Sequence, residues 1–413
     1  MGFPVYNQKD NRWRDYYNPL RGLTLPKVLS LVEAGERGQY ADLQWFYHYM
    51  ERSDAMIYSV IQRRRAALMD CDWDIRVVSG ARMRGANARR FDPALANEQA
   101  AFLSEVYDGI ENFRDSLAFL FSGFFRGLSH VEKHFGANGE ILRLEPVEQW
   151  FWVRDGMFGD WEYNENAVSG RFRGIPIDRQ NFVIFETVAL DRMLSPLYFG
   201  RTLNLKNWAA YLDIFGIPSA FLIGPPNASA EKEKEYQEIA DALISDGRGY
   251  LPNGSDIKYV NGGGGKPPFL DNISYLDRMI TLVGTGGLLT LLTESGSGTL
   301  AGGAHLDAFQ QVARSDATAL SEVFQRDIDL PMLAQAFPGY PALAYFEFAP
   351  ALSDQASRVV QDAAALAAAG TPVDPAEISE KTGYRLAPTA PAPALLPAAG
   401  VSGAGGTGPG GGQ

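Results

Sequence analysis

Apolar positions recur at helical spacing through the first 70 residues. Thr24 precedes Val28, Leu29 and Val32; a second run carries Leu43, Phe46, Tyr47 and Met50. A third follows Ser53 and Asp54, with Ile57, Val60, Ile61 and Leu68 on one stripe. These spacings predict three amphipathic helices. The period then drops to two, with Trp73, Ile75 and Val77 alternating with Asp72, Asp74 and Arg76, as in a strand. Asp92-Pro93 opens another helix, with an apolar stripe from Phe102 to Phe124. Residues 128–190 read as β-rich: strands are expected at His130–Phe135, Ile141–Leu144, Val147–Val153 and Phe182–Phe185. Ser195-Pro196 has the chemistry of a helix start, with Ser as cap and Pro in the first turn. Further helices are expected near 230–245, at Leu306–Asp327 and at Ser353–Ala369, with a short strand at Asp256–Val260. This order predicts a mixed α+β chain without internal repeats.

Composition narrows the function classes. At 413 residues with 46% apolar and 21% charged side chains, the chain has ample material for a core. A single cysteine, Cys71, excludes an intrachain disulfide and a cysteine-rich metal site. The net charge of −12 argues against gripping nucleic acid by wholesale phosphate neutralisation. The uncharged apolar stretch Met279–Thr293 is too short to span a bilayer and is broken by glycines, so no membrane partner is expected. Leu386 onward is uncharged and rich in Gly, Ala and Pro, which predicts a disordered tail.

Candidate chemistry is sparse. His130, Glu132 and His134 would share one face of a strand, which suits either a divalent metal or a polar solvent face, and the solvent face is the expected one. Gly262–Gly265 before Lys266 lacks the spacing of a phosphate-binding loop, and Gly296–Ala301 fits a dinucleotide pattern without the surrounding βαβ unit. No catalytic constellation stands out and no cofactor is expected. Arg63-Arg64-Arg65 fans around a helix, as on a solvated face or in ion pairs between subunits. Trp150, Trp152 and Trp161 suit a local core, or an exposed tip that binds a partner.

One block is more specific. Leu288-Leu289-Thr290-Leu291-Leu292-Thr293 leads into Glu294-Ser295-Gly296-Ser297-Gly298-Thr299, then an Ala301-x-x-x-His305 step and a helix holding Asp316-Ala317. With Asn18–Thr24, Glu51–Asp54, Asp72–Ile75, Ser195–Gly200 and Phe215–Pro218 in order, the chain resembles the Mu-like phage portal proteins. That resemblance implies an α+β portal-type fold with wing, helical stem and α/β clip. It assigns 1–144 to the wing, 145–190 to the clip and adjoining strands, and 191–218 to a stem helix. It further assigns 219–330 to the wing with a channel loop at 294–304, 331–385 to C-terminal helices, and 386–413 to the tail. The channel-loop candidates are Glu294, Ser295, Gly296, Ser297, Gly298, Thr299, Gly302 and Gly303. The clip candidates are Trp150, Trp152, Arg154, Asp155 and Trp161. The implied partners are about eleven further copies in a ring, double-stranded DNA in transit, the terminase large subunit, the major capsid or scaffold protein, and a head–tail adaptor. The implied site is a capsid vertex, reached from the host cytoplasm. Other readings are a head–tail joining protein without a DNA conduit, and a metal-dependent enzyme built on His130, Glu132 and His134.

Overall fold

Capping chemistry starts several of the helices in the computed structural model, which describes residues 18–78, 92–215, 221–223, 229–242, 249–251, 268–287, 299–349, 352–371, 373–375 and 378–379. The expectations for Gly216–Pro218, Asp256–Val260, Gly262–Gly265 and the tail lie outside these residues. Helices α1 (Leu25–Glu36), α2 (Ala41–Ser53) and α3 (Ala55–Met69) match the expected order. The Asp54 carboxylate caps α3 by accepting from the backbone N–H groups of Met56 and Ile57. Thr24 sits at the N-cap of α1 without a side-chain cap bond; Pro26 in the first turn supplies the preset φ instead. Asp92 caps α4 (Pro93–Asp108), and α5 (Phe113–Arg126) ends at Gly127, whose φ of 86° needs a residue without Cβ.

Strand β1 (Asp72–Val77) pairs antiparallel with β10 (Ala344–Ala349). Strands β2 (Leu128–Phe135), β3 (Ile141–Val147) and β7 (Phe182–Glu186) form an antiparallel sheet in the order β3-β2-β7. Short strands β4 (Trp152–Val153), β5 (Glu162–Tyr163) and β6 (Ile175–Pro176) make a second small sheet. The β3-β2-β7 sheet has a core on each face. Val131, Leu144, Val183 and Phe185 join the main core with α2 to α5, whereas Leu128, Val147, Phe182 and Ile184 face Phe151, Trp152, Trp161 and Tyr163.

The long helix α6 spans Leu190–Phe215, so it starts five residues before the expected Ser195-Pro196 and takes Pro196 into its interior. Burial explains the difference: Asp191, Leu194 and Ser195 all pack inward in its first turns. Helix α8 (Phe269–Thr285) runs antiparallel to α6, since Tyr211 meets Phe269, Asn204 meets Asn272 and Arg201 meets Asp277. Between them, parallel strands β8 (Phe221–Ile223) and β9 (Gly249–Leu251) enclose α7 (Ala230–Ala242), a local βαβ unit. Helix α9 (Thr299–Phe324) continues through a π-helical turn, Gln325–Asp329, into α10 (Leu330–Ala336). Helix α11 (Leu352–Ala368) belongs to a separate compact unit.

Candidate functional site

The tryptophan set is part of the core. Trp152 is fully buried, donates from Nε1 to the Val147 carbonyl, and stacks on the His130 ring at 4.0 Å. Trp161 is also buried; its Nε1 donates to Glu186 at 2.7 Å, and the Arg154 guanidinium lies 4.3 Å over its ring. Arg154 itself donates to the Tyr40 hydroxyl and to Glu186. Trp150 is half-buried and meets Trp45 and His48 edge-on. Of the expected partner-binding tip, only Asp155 is truly outside, paired with Arg173 at 2.7 Å. The reading of Trp152 and Trp161 as a free tip is therefore corrected, because they floor the second core beneath the β3-β2-β7 sheet. The exposed aromatic is Phe158, 92% accessible on the turn between them, with Met157, Phe172 and Ile175 partly open.

The histidines are corrected in the same way. His130 and Glu132 were expected on a solvent face, yet both are buried, because β2 is the central strand and both its sides are covered. Burial holds His130 well below the usual imidazole range, with Arg179 and Arg154 adding to the effect. Burial pushes Glu132 up to about 7, and Glu145 across the sheet adds to that. His134 Nε2 lies 3.7 Å from Glu132, but no group of three or more metal-ligating side chains converges among the described residues.

Of the channel-loop candidates, Glu294, Ser295, Gly296, Ser297 and Gly298 lie outside the described residues. Thr299, Gly302 and Gly303 are the first turn of α9, so the loop expected through 304 stops at its helix start. The flanking geometry is defined on the near side. Helix α8 ends at Gly286, with φ 71°, and Gly284 lies so close to Val60 that a Cβ there would sit 1.9 Å from its methyl.

Sequence reasoning missed the residue that joins these flanks. Arg64 of α3 grips Asp316 of α9 through Nε and Nη2 at 2.6 and 2.7 Å, and donates from Nη1 to the Gly284 carbonyl at 3.2 Å. It lies under Phe124 and Phe125. Arg63 lies over Phe309 and Arg65 reaches Gln62. The triple-arginine run thus splits by role, and Asp316, visible beforehand only as half of an Asp-Ala pair, is its partner.

The model of the family described as the portal protein of Mu bacteriophage matches residues 44–384. The chain belongs to that family. It is 23% identical over 357 residues to the Mu-like prophage FluMu protein gp29 of Haemophilus influenzae, covering 82% of this chain and 66% of that protein. It is 23% identical over 337 residues to the portal protein of Escherichia phage Mu, covering 78% and 62%. The chain therefore spans just under two thirds of the length of these curated relatives. A chain from the neck of a native gene transfer agent particle, determined with C12 symmetry, has the same fold, with TM-score 0.52, 13% identity, and coverage of 87% and 94%. A chain from the native gene transfer agent virion agrees equally, at TM-score 0.52. The portal-type α+β fold expected from the motif order is borne out. Among the described residues no helix is long and apolar enough to cross a membrane.

Proposed function

We propose that this portal-family chain assembles into a ring at one capsid vertex, through which double-stranded DNA is packaged and later ejected. The observation that carries this reading is the family match across 44–384. The ring would dock the terminase large subunit during filling and a head–tail adaptor afterwards, in contact with capsid or scaffold protein. Its role is structural, with the motor ATPase a separate protein. A ring of about twelve such chains, as in the C12 neck relative, would carry roughly −140 in formal charge. Duplex DNA must slide there, and each phosphate contact would add salt-dependent affinity, so net acidity suits a conduit.

Within this reading, α6 and α8 form the stem and the β8–α7–β9 unit the clip. Two features favour this placement over 145–190: Trp152 and Trp161 are built into the core, and the βαβ unit interrupts an antiparallel helix pair. The segment from Glu294 to Gly298 would border the channel, since small residues without cations let phosphates pass. Replacing Ser295 and Ser297 by lysine is expected to leave ring assembly intact and to slow DNA translocation, with the defect relieved at high salt. Packaging assays on rings carrying both lysines test this; parental packaging at every salt concentration would exclude the segment from the channel.

A further inference from the structure

Asp191, in the first turn of α6, is 0% exposed. Neither of its carboxyl oxygens accepts from any N–H or O–H donor among the described residues. Another carboxyl, Glu51 of α2, lies within hydrogen-bonding reach of it. Glu51 already holds the fork of Arg126, with Nε to Oε1 at 2.9 Å and Nη2 to Oε2 at 2.6 Å. The remaining arm of Arg126 donates to Gln149 at 2.9 Å, and Glu148 stands 3.9 Å away. The other groups facing this cluster are Tyr47 and His48 of α2, and Arg192 and Ser195 of α6 itself, with Arg192 paired to Glu36 of α1.

An ionised carboxylate can only accept hydrogen bonds, so two adjacent buried carboxylates repel unless one keeps its proton. One guanidinium, spent on Glu51, cannot neutralise both. We infer that Asp191 is held as the neutral acid and donates its proton to Glu51, so that the root of α6 is fastened to α2 by a shared proton that alkali withdraws. Burial and then the Glu51 charge push Asp191 well above the usual carboxylate range, with Arg126 opposing. Burial pulls Glu51 upward as well, but Arg126 and the bond from Asp191 outweigh it and leave Glu51 below its usual range. The sign for stability follows from the raised group. Its contribution is fully present below an unfolded pKa of about 3.9, and is lost as pH rises towards the folded value. Within that window the folding equilibrium constant falls by about tenfold per pH unit from this group alone. The inference rests on α2, α5 and α6 and is independent of the ring.

The test compares unfolding midpoints of the full chain from about pH 5 to about pH 9 for the parent, Asp191→Asn, Glu51→Gln and the double variant. Asp191→Asn is expected to equal or exceed the parent in stability above neutral pH, because its amide donates to Glu51 with no proton to lose. Its pH slope is expected to be shallower than the parent's by up to that tenfold per unit. Glu51→Gln is expected to flatten the slope too, since Asp191 then charges against Arg126. The double variant removes both carboxylates from Arg126 and is expected to lose far more than the sum of the singles. A slope in Asp191→Asn parallel to the parent's, or additive losses, would overturn the inference. Should Asp191→Asn not fold, infrared spectra of the parent and of Glu51→Gln at about pH 8 decide: a protonated-carboxyl band present in the parent and lost in Glu51→Gln supports the shared proton, and identical bands overturn it.

Discussion

Replacing Arg64 by Met is expected to cost about 3–5 kcal/mol and to abolish most soluble folded chain, the usual scale for a buried ion left without its partner. Asp316 has a side chain only 3% exposed, and Arg64 one 11% exposed. Removing the guanidinium strands that carboxylate under α3 and frees the Gly284 carbonyl at the end of α8. The pair itself is a poor source of net stability. Burial raises Asp316 above the usual carboxylate range even with Arg64 hydrogen-bonded to it, so desolvation roughly offsets the attraction. The double variant Arg64→Met/Asp316→Leu is therefore expected to recover most of the loss. Thermal midpoints of the two singles and the double, read as a cycle, check this. Losses in the double equal to the sum would show that Arg64 and Asp316 act separately.

Trp152→Ala is expected to destabilise the chain by about 3–5 kcal/mol, as for other fully buried large aromatics. The substitution opens a cavity under the β3-β2-β7 sheet, unstacks His130 and frees the Val147 carbonyl. His130→Ala is expected to cost less, about 1–3 kcal/mol, because it removes a smaller ring from the same layer. Phe158→Ser, at a 92% exposed position of the adjoining turn, is expected to change stability by about 0.5 kcal/mol or less. Chemical denaturation of the three variants separates core from tip. A neutral Trp152→Ala would return the tryptophans to the role of a free partner-binding tip.

The helices were legible wherever local chemistry starts them. Asp54 and Asp92 announce α3 and α4 by capping, and the alternation through Trp73, Ile75 and Val77 announces β1. The partner of β1 was not legible, because β10 lies some 270 residues further on and nothing local signals the pairing. Period-two alternation also misled at His130–His134. Alternation separates the two faces of a strand, but it cannot say whether a polar face meets water, and here Trp152 and Trp161 cover it from a later stretch of chain. Arg64 failed to stand out among three arginines for the same reason: Asp316, which buries it, is 252 residues away. The start of α6 was missed because Ser195-Pro196 is a strong local signal, whereas the burial of Asp191 and Leu194 that extends the helix is tertiary. The order of motifs, unlike any single residue, carried the family.

Electron-microscope images of the purified chain, alone and from assembled procapsids, bear most directly on the portal reading. The expected result is closed rings of about twelve copies with an axial bore wide enough for duplex DNA. A chain that remains monomeric at high concentration and in procapsids, or rings whose axis is blocked, would contradict it.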